Sequence, residues 1–596
     1  MGLFDGIRRE AVYIAAVARL LRYIRNVKPD SKSTVIDLLE RHARERPDAP
    51  AVFHRDRVVN WRALDEGANR YAHWAHGQGV SKGDVVALLM ANRPEYLMAW
   101  LGIVKTGGIA ALINTNLTGQ PLAHSIGVAN PKRIVLGAEL ADSFATAMDQ
   151  FEALAPTWAT GAKVQGTEDL DAALARMPET GDPALRHDLT CGDKALYIYT
   201  SGTTGLPKAA NISHMRMLNM MYSFAAGTKA RSHDRMYDPL PLYHSAGGVC
   251  ALGPAFAEGG AIIVREKFSA SEFWSDCHRY EATLFQYIGE LCRYLLNQPP
   301  HPHERDHKLR VAIGNGLRPE IWMPFKTRFA IPHIVEFYGA TEGNAGLMSF
   351  DGKPGAVGRV PSYMRNVTPI RIVKFDTETE QPVRGLNGFC IECEPGEAGE
   401  QIGKIDPNDP RTKFEGYTQS EDTRKKVLRN VFEHGDAWFR TGDLMRKDEH
   451  GYIYFVDRIG DTFRWKGENV ATSEVTEALS VFPGVREANV YGVKISGAEG
   501  RAGMAALVAG PDLDLARLLA HLEANLPLYA RPVFLRLQKE IEVTGTFKHR
   551  KVDLVKEGFD PAVISEPLHF LDPRTNRYET LDAALYADIV GGKLKL

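Results

Sequence analysis

The most chemically suggestive stretch of the sequence is YIYTSGTTGLPKAAN, which runs from Tyr197 to Asn211. Its apolar start predicts a buried strand, and a run of Ser, Thr and Gly residues follows that strand. The run comprises Thr200, Ser201, Gly202, Thr203, Thr204 and Gly205. Glycines let backbone N–H groups approach a ligand and form an anion-binding nest, and Lys208 adds a positive charge. The loop suits a polyphosphate, although its spacing is not that of a P-loop and a short Ser/Thr/Gly run alone is often an ordinary turn.

This stretch resembles the phosphate loop of the adenylate-forming superfamily, which contains acyl-CoA synthetases, luciferases and peptide-synthetase adenylation domains. A second segment, FYGATEGN, is similar to the adenine and metal segment of that superfamily. The resemblance implies that Tyr338 stacks on adenine beside Gly339, and that Thr341 contacts the α-phosphate. It also implies that Glu342 binds Mg²⁺ with Thr200, and oxygen ligands are those that this hard cation requires.

Further segments of the chain match the same superfamily. WFRTGDL and FVDRIGD resemble the ribose segments, and the resemblance implies that Asp443 and Arg458 bind the ribose hydroxyls. RWKGENV is similar to the segment used in thioester formation, in which Lys466 contacts CoA and Gly467 leaves room for the pantetheine arm. VTGTFKHRK places Lys548 at the position of the catalytic lysine, whose ammonium group offsets charge on the α-phosphate.

Other stretches resemble one branch, the very-long-chain acyl-CoA synthetases or fatty-acid transport proteins. PLYHSAGG, YIGELCRYLL, NGLRPEIW and EPLHFLDP carry this likeness, which extends over nearly all of the chain after about residue 35. It implies that His244 lies near the acyl carboxylate. The residues implied to flank adenine are Gly314, Asn315 and Gly316. The acyl tunnel is expected along Tyr243–Gly248 and Tyr287–Leu291, although these apolar stretches fit a protein core equally well.

The elements that must position these residues follow from apolar periodicity. Val85–Ala91, a helix opened by Pro94 and Ile109–Ile113 form a predicted βαβ unit of a parallel sheet. Further strands are predicted at Arg133–Leu136, Ala195–Thr200, Ala261–Val264, Thr283–Ile288, Leu309–Ile313 and His333–Tyr338. Three of these strands run into SGTTG, GNG and GATEG. Because ligands bind beyond the carboxyl ends of strands in such sheets, we expect the three segments to converge on one cleft.

The pattern changes after about residue 365. Apolar residues alternate within FCIECE and within GYIYFV, which is typical of antiparallel strands. We predict an α/β fold with a large N-terminal domain of parallel α/β sheets, a small β-barrel-like subdomain and a small mobile α+β C-terminal domain. The hinge is expected at Gly460, since glycine absorbs large changes in φ and ψ at little steric cost. The predicted divisions are a basic amphipathic leader helix at 1–30, the adenylating domain at 31–459 and the C-terminal domain at 460–596.

Composition excludes several classes of protein. The 596 residues carry a formal net charge of −2, so no overall field attracts nucleic acid. Six cysteines in a chain of this length do not form a disulfide framework and indicate a reducing compartment. The C-x-x-C at Cys390 and Cys393 has no second ligand pair nearby, so we interpret both as strand residues. HERDH, from His303 to His307, matches the zinc-protease motif H-E-x-x-H, but the prolines before it and the lack of an apolar helical face indicate coincidence.

Residues 3–28 form a short apolar stretch with basic residues on both sides. No run of about 18 apolar residues occurs, so no spanning helix is predicted. Two interpretations are open: a basic amphipathic helix on an anionic membrane, or a helix packed on its own protein. We favour the first, and expect a cytoplasmic protein with peripheral contact at the inner face of the cell membrane.

Together these features predict a fatty acid–CoA ligase that uses ATP, Mg²⁺ and CoA and has no nucleic-acid partner. The acid is activated as acyl-AMP with release of pyrophosphate, and CoA then displaces AMP. One alternative is another adenylating ligase, acting on aryl or bile acids or passing acyl groups to a carrier protein. A second is a fatty-acid uptake protein with a vestigial nucleotide site. The sequence leaves the oligomeric state open, with a homodimer among the choices.

Overall fold

The computed structural model describes residues 3–151, 153–185, 188–200, 206–377, 379–409, 412–495, 500–541 and 551–594. The α-helices in this part of the chain are α1 Leu3–Ile24, α2 Val35–Glu45, α3 Trp61–Gly77, α4 Pro94–Lys105, α5 Gly119–Ala129, α6 Ala141–Ala145, α7 Leu170–Leu174, α8 His214–Thr228, α9 Gly253–Glu258, α10 Phe273–Arg279, α11 Gly289–Leu296, α12 Pro319–Arg328, α13 Ser420–Lys425, α14 Thr472–Ser480, α15 Leu515–Asn525, α16 Val552–Glu557 and α17 Ala583–Val590.

The strands of the described residues are β1 Pro50–His54, β2 Arg57–Asn60, β3 Val85–Leu89, β4 Ile109–Leu112, β5 Arg133–Gly137, β6 Thr157–Thr160, β7 Glu168–Asp169, β8 Lys194–Thr200, β9 Lys208–Ser213, β10 Arg235–Asp238, β11 Ala261–Val264, β12 Leu284–Ile288, β13 Val311–Asn315, β14 His333–Tyr338, β15 Leu347–Ser349, β16 Ala356–Arg359, β17 Ile370–Asp376, β18 Gln381–Pro382, β19 Ala398–Ile405, β20 Val427–Arg429, β21 Ala437–Lys447, β22 Tyr452–Arg458, β23 Phe463–Trp465, β24 Glu468–Val470, β25 Val485–Val493, β26 Ala502–Ala509, β27 Phe534–Gln538, β28 Leu568–Asp572 and β29 Arg577–Thr580.

The chain divides into two compact units. Unit 1 consists of Met1–Gly358 and Lys404–Val427, and unit 2 consists of Arg359–Gly403 and Leu428–Leu596. The antiparallel region after residue 365 is therefore grouped with the C-terminal part of the chain. The division at residue 460 stays a prediction, because it concerns a smaller domain within unit 2.

Unit 1 contains two largely parallel sheets. One has the strand order β15-β14-β13-β12-β10-β11-β1-β2, and the other has the order β7-β6-β5-β3-β4-β8-β9. The strands of the first βαβ unit show why parallel sheets appear as continuous apolar runs. Val86 and Leu88 of β3 belong to the core shared with α3 and α4, whereas Val85 and Ala87 belong to the core on the opposite face. Both faces of β3 are thus buried, which confirms the predicted α/β architecture.

Most predicted strands lie where the periodicity placed them, but two details differ. Unexpectedly, β8 is followed by an antiparallel partner, β9, so the phosphate loop connects the two strands of a hairpin. FCIECE forms no regular strand: Cys390 and Glu392 make only isolated bridges, to Arg384 and Val373. The interpretation of Cys390 and Cys393 as strand residues was therefore wrong, although both side chains are buried. Alternation alone did not produce a ladder here.

Unit 2 contains two sheets and a hairpin. In the first sheet the order β22-β21-β19-β17-β18 is antiparallel where β21 meets β22 and where β19 meets β17. The second has the order β25-β26-β27-β28-β29, with its core completed by α14, α15 and α17. The predicted helices beginning near Ser473 and Asp514 are α14 and α15, and the Asp514 carboxylate caps α15 by accepting from the Arg517 N–H at 3.0 Å.

Helix α1 packs on unit 1 through one face. Ala16 is fully buried, the Tyr23 ring stacks on Tyr222 with centroids 5.2 Å apart, and the Tyr23 hydroxyl donates to Glu258. The other face exposes apolar side chains at Ile7, Ile14 and Leu21. No helix of the described chain has the length and apolar character required to cross a membrane. The helix therefore packs on its own protein, as the second interpretation expected, and keeps an exposed apolar stripe.

Candidate active site

Two of the predicted nucleotide segments lie at neighbouring strand ends in unit 1. Strands β13 and β14 are parallel partners, with Gly314 in register with Glu336. Gly314 and Asn315 end β13, and Gly316 follows with a φ of +78°, a conformation that favours glycine. Tyr338 ends β14. The residues expected to contact adenine from both segments therefore leave the same edge of one sheet, as the sequence predicted.

A buried carboxyl group holds this edge together. The Glu336 side chain accepts a hydrogen bond of 3.0 Å from the Leu317 N–H through Oε1, and the Tyr287 hydroxyl donates to its Oε2. Burial raises the pKa of Glu336 to about 8, so that the carboxyl group is largely protonated at neutral pH. Glu336 thereby connects β14 and β12 with the loop that begins at Gly316.

A buried guanidinium group holds the segment that carries Thr341 and Glu342. Arg216, near the start of α8, donates to the Ala340 carbonyl at 2.9 Å and to the Thr341 carbonyl at 2.8 Å. Burial lowers the pKa of Arg216, and the charges of Glu415 and Glu342 oppose that shift. The Thr341 hydroxyl lies 2.9 Å from the Ser245 hydroxyl. The backbone of this segment is thus fixed from one side and the Thr341 side chain from another.

Tyr417 connects the two predicted metal ligands. Its hydroxyl donates to Oε1 of Glu342 at 2.7 Å and also interacts with the side chain of Thr200 at the end of β8. Tyr417 reaches this position because its segment pairs with β9: the Asn211 N–H donates to the Gly416 carbonyl at 3.0 Å, and the Thr418 N–H donates to the Ala209 carbonyl at 2.9 Å. The segment joins Thr200 of one sheet to Glu342 beside the other.

Lys208 stands opposite Thr200 at the mouth of the β8–β9 hairpin. Its ammonium group forms an ion pair of 2.8 Å with Asp422. Residues 201–205 of the intervening loop lie outside the described part of the chain, and so do the predictions for Ser201, Gly202, Thr203, Thr204 and Gly205. Both flanking residues lie near Tyr417: Thr200 interacts with its hydroxyl group, and the Lys208 ammonium group lies 5.8 Å from its ring centroid.

The donor set around Tyr417 fits Mg²⁺. Glu342 supplies a carboxylate that is 7% exposed, and Thr200 supplies a hydroxyl oxygen. Both are hard oxygen ligands, and Mg²⁺ is usually held by one or two carboxylates together with waters and substrate phosphates. The Tyr417 hydrogen bond uses Oε1 of Glu342 and orients the carboxylate. These residues could therefore hold the cation that the family resemblance implies.

His244 begins a tightly packed segment of the predicted acyl site. Its Nδ1 accepts from the Ala246 N–H at 3.3 Å, and a single π-helical turn, Ala246–Cys250, follows. Such turns occur often at functional sites. A Cβ added at Gly248 would meet the Leu242 carbonyl oxygen at 1.9 Å, so glycine is required there. Because Ser245 contacts Thr341, this segment is fixed to the predicted adenylate segment.

The two predicted ribose residues face each other in unit 2. Asp443 of β21 and Arg458 of β22 are register partners on antiparallel strands, with Nε of Arg458 3.9 Å from Oδ1 of Asp443. The Thr441 hydroxyl donates to the Gln401 carbonyl at 2.7 Å and fixes the start of this turn. The Asp443 carboxylate and the Arg458 guanidinium group therefore lie close together, which is compatible with the prediction that both bind one ribose.

The predicted CoA residues form the turn of the β23–β24 hairpin. Lys466 and Gly467 have φ values of +53° and +82°, the pattern of a type I′ turn, and both are exposed. Lys466 lies at the tip with its ammonium group 6.0 Å from the Trp465 ring centroid. Lys548 lies outside the described residues, so its predicted role stays a prediction.

Sequence reasoning missed several residues that shape this site, namely Arg216, Glu336, Glu415, Tyr417 and Asp422, and it did not foresee the contact of Ser245 with Thr341. Each acts through a partner that is distant in the sequence; Glu342 and Tyr417, for example, are 75 positions apart. The one local signal in the sequence was Gly416, the glycine directly before Tyr417. Its φ in the structure is +64°, a conformation that favours glycine. Periodicity cannot identify such contacts.

Comparisons with known proteins show the family to which the chain belongs. The family model described as AMP-binding enzyme matches residues 39–401, and the model for the AMP-binding enzyme C-terminal domain matches residues 474–548. The chain is 42% identical to long-chain fatty acid transport protein 1 of Mus musculus, over 94% of this chain and 88% of the mouse protein. It is 41% identical to long-chain fatty acid transport protein 2 of Rattus norvegicus, over 98% of this chain and 94% of the rat protein.

Solved structures share the fold at lower identity. The anthranilate CoA ligase AuaEII in complex with anthranoyl-AMP has a TM-score of 0.74 at 21% identity, covering 88% of this chain and 96% of that ligase. ATP-bound MatB from Rhodopseudomonas palustris has a TM-score of 0.73 at 24% identity, covering 88% and 99%. The chain thus belongs to the AMP-binding enzyme family, in the branch that contains the long-chain fatty acid transport proteins.

Proposed function

We propose that the chain is a fatty acid–CoA ligase, which converts a long- to very-long-chain fatty acid, ATP and CoA into acyl-CoA, AMP and pyrophosphate. The observation that carries the proposal is the Tyr417 hydroxyl, which contacts both Glu342 and Thr200. A vestigial nucleotide site would have no need of such a buried, oriented carboxylate. The curated relatives named as long-chain fatty acid transport proteins support the choice of acid.

In the first half-reaction a carboxylate oxygen of the fatty acid attacks the α-phosphorus of ATP. The bond from that phosphorus to the bridging oxygen breaks, and pyrophosphate leaves. Thr341 binds the α-phosphate, Lys208 with residues 200–205 binds the β- and γ-phosphates, and Lys548 stabilises the charge that develops. Mg²⁺ held by Glu342 and Thr200 would offset the phosphate charge when bound.

Several side chains bind and orient rather than react. Tyr338 stacks on the adenine with Gly339 beside it, and the residues that flank the ring are Gly314, Asn315 and Gly316. Asp443 accepts hydrogen bonds from the ribose hydroxyls while Arg458 donates to them. His244 orients the acyl carboxylate.

In the second half-reaction the CoA thiolate attacks the acyl carbonyl carbon, and AMP leaves with the electrons of the broken anhydride bond. Lys466 contacts CoA, and Gly467 leaves room for the pantetheine arm. Residues 460–596 act as the domain that exchanges Lys548 for Lys466 by rotation at Gly460, where a Cβ would meet no atom within 4 Å. No covalent enzyme intermediate is needed.

Product analysis tests the reaction and separates it from the alternatives. Purified chain is incubated with ATP, Mg²⁺, CoA and acids from C8 to C26 together with benzoate and a bile acid. We expect acyl-CoA and AMP from the long chains, abolished in Glu342→Gln. Preference for aromatic or bile acids would favour the other adenylating ligases, and acyl-AMP without thioester would favour transfer to a carrier protein. Fatty-acid binding without pyrophosphate release would favour the uptake protein.

We propose further that the exposed stripe of α1 contacts the inner, anionic face of the cell membrane. Ile7, Ile14 and Leu21 are each more than half exposed and spaced by seven residues, so they lie along one side of the helix. The basic residues in and after the helix include Arg8, Arg22, Arg25 and Lys28. Exposed apolar residues beside basic ones are typical of interfacial helices.

Vesicle sedimentation tests the contact. We expect the chain to bind vesicles that contain phosphatidylserine more strongly than pure phosphatidylcholine vesicles, and Ile14→Asp to weaken that binding. Val58→Asp is the matched control, because Val58 is an equally exposed apolar residue outside α1. Unchanged binding of Ile14→Asp would reject the proposal. Light scattering on the purified chain without vesicles decides between monomer and homodimer.

A further inference from the structure

The stretch HERDH does not form the zinc-protease motif. Its two histidines face different surroundings: the Nε2 atom of His307 lies 2.9 Å from the Phe329 carbonyl oxygen, and its ring stacks on Trp274 with centroids 5.2 Å apart. The ring of His303 stacks instead on His278 of α10, with centroids 4.0 Å apart. The prediction that the motif match is coincidental is therefore confirmed. The histidine that His303 contacts is His278, not His307.

The two stacked imidazoles converge on one carboxylate oxygen. Nδ1 of His278 lies 3.3 Å from Oδ2 of Asp306, and Nδ1 of His303 lies 3.4 Å from the same atom. One ligand atom from each of the three residues falls within 4.8 Å of the others, and no other such group of three or more occurs in the described chain. A tetrahedral zinc ion with bonds of about 2.05 Å would separate its ligand atoms by about 3.3 Å. The two nitrogen–oxygen distances already match that geometry.

The loop that carries His303 and Asp306 is tied to the rest of unit 1 on both sides. Glu304 accepts from Arg328 of α12 at 2.8 Å and from the His301 N–H at 3.1 Å. The His301 ring contacts the Ser275 hydroxyl at 3.2 Å, one turn before His278 on α10. The His301 contact thus holds the loop beside α10, where the three proposed ligand residues lie together.

We propose that His278, His303 and Asp306 form a surface site for a borderline divalent cation of the first transition row, with Zn²⁺ as its natural occupant. Two imidazole nitrogens and one carboxylate oxygen suit Zn²⁺, Cu²⁺ or Ni²⁺, whereas Mg²⁺ and Ca²⁺ require oxygen ligands. Water completes the coordination. The Asp306 carbonyl oxygen, 3.0 Å from His278 Nδ1, accepts the proton of that nitrogen; on metal binding this proton moves to Nε2 of the same ring, which frees the Nδ1 lone pair for the cation. The site is independent of the predicted Mg²⁺ ligands and of the proposed reaction.

Calorimetric titration with Zn²⁺ tests the site on the full chain, after removal of any histidine tag and of bound metal by EDTA and dialysis. Mg²⁺ at millimolar concentration is kept in the buffer, where it competes with Zn²⁺ for the oxygen ligands of the predicted active site. We expect one equivalent to bind, and His278→Gln and His303→Gln each to weaken binding at least about tenfold. His76→Gln is the matched control, since His76 is an exposed histidine of α3 that is neither a proposed ligand nor part of this loop.

Cu²⁺ supplies a second readout. The electron paramagnetic resonance spectrum of the Cu²⁺-loaded chain should show coupling to two nitrogens, reduced to one in His278→Gln. Circular dichroism of the metal-free variants checks that each is folded. Absence of stoichiometric Zn²⁺ binding, unchanged binding in both ligand variants, or an equal loss in His76→Gln would overturn the proposal.

Discussion

The hydroxyl group of Tyr417 lies 2.7 Å from Oε1 of Glu342 and donates a hydrogen bond to it. Burial, and then the charge of Glu342, raises the pKa of the Tyr417 phenol, so the hydroxyl stays a neutral donor over the physiological range. The same hydroxyl interacts with Thr200. One tyrosine thus fixes the relative position of a β-hairpin from one sheet and a loop from the other, where the two predicted metal ligands lie.

Tyr417→Phe should therefore slow acyl-adenylate formation without unfolding the chain. A hydrogen bond to a charged group contributes about 1.5–3 kcal/mol, which corresponds to a fall of roughly 10- to 100-fold in kcat/KM for ATP. The measurement is pyrophosphate release that depends on fatty acid. Tyr280→Phe is the matched control, because the Tyr280 hydroxyl donates to the Arg55 carbonyl at 2.7 Å outside the site. Equal activity of both variants would show that Tyr417 does not orient Glu342.

Arg216→Lys should reduce kcat more than it changes the KM for ATP. Lysine lacks the planar fork that donates to the Ala340 and Thr341 carbonyls together, so the Thr341–Glu342 segment would lose one of its two fixed points. We expect a loss of roughly 100-fold in steady-state acyl-CoA formation, because two hydrogen bonds to a buried charged group are disturbed.

Arg310→Lys is the control for Arg216, since Arg310 also donates to a backbone carbonyl, that of Thr228, at 2.7 Å, but lies away from the predicted ligands. It should lower the thermal midpoint and leave kcat nearly unchanged. If both variants lost activity in proportion to their stability, the role of Arg216 would be structural support alone.

The sequence contained enough information for the strands but not for these contacts. Apolar runs such as Ala261–Val264 and His333–Tyr338 became strands with the predicted bounds, because burial on both faces of a parallel sheet demands such runs. The family motifs identified Glu342 and Asp443 as candidate site residues. Arg216, by contrast, looks like any polar residue in the first turn of a helix, since its partners lie more than 120 residues further along the chain.

The same reasoning explains the wrong prediction at FCIECE. Its alternation satisfied the local rule for a strand, but a strand also needs a neighbour with unpaired backbone groups along its whole length. The segment instead divides its backbone hydrogen bonds among several neighbours: Ile391 and Cys393 bond to β17, whereas Cys390 bonds to the Val431 carbonyl. Partner availability is a tertiary property that a local pattern does not contain.

Gly467→Ala should separate the two half-reactions. The φ of Gly467 is +82°, so an alanine there costs about 1–2 kcal/mol of strain at the tip of the hairpin and narrows the path expected for pantetheine. We expect thioester formation to fall at least about fivefold, while the burst of acyl-AMP measured without CoA is unchanged. Gly388→Ala is the control, because Gly388 has a φ of +81° and equal open space around its Cα.

The buried carboxyl group of Glu336 predicts a distinctive dependence of stability on pH. Burial raises its pKa in the folded chain from 4.5 to about 8, so between these values the folded state holds a proton that the unfolded state has lost. The contribution of Glu336 to stability is therefore fully present below about pH 4.5 and is lost as the pH rises towards 8. Glu336→Gln keeps an acceptor for the Leu317 N–H, replaces the hydrogen bond donated by Tyr287 with one donated by the amide to the Tyr287 hydroxyl, and removes the titration.

Unfolding midpoints in urea, measured for both proteins from pH 5 to pH 9, check this expectation. The stability of Glu336→Gln relative to the parent should increase by up to about 1.4 kcal/mol per pH unit within the window and level off above pH 8. Glu304→Gln is the control, because its ion pair with Arg328 lowers the pKa of Glu304, and its effect should be constant over this range. A constant difference for Glu336→Gln as well would mean that Glu336 is already ionised in the folded chain, and that a charged carboxylate supports the adenine loop.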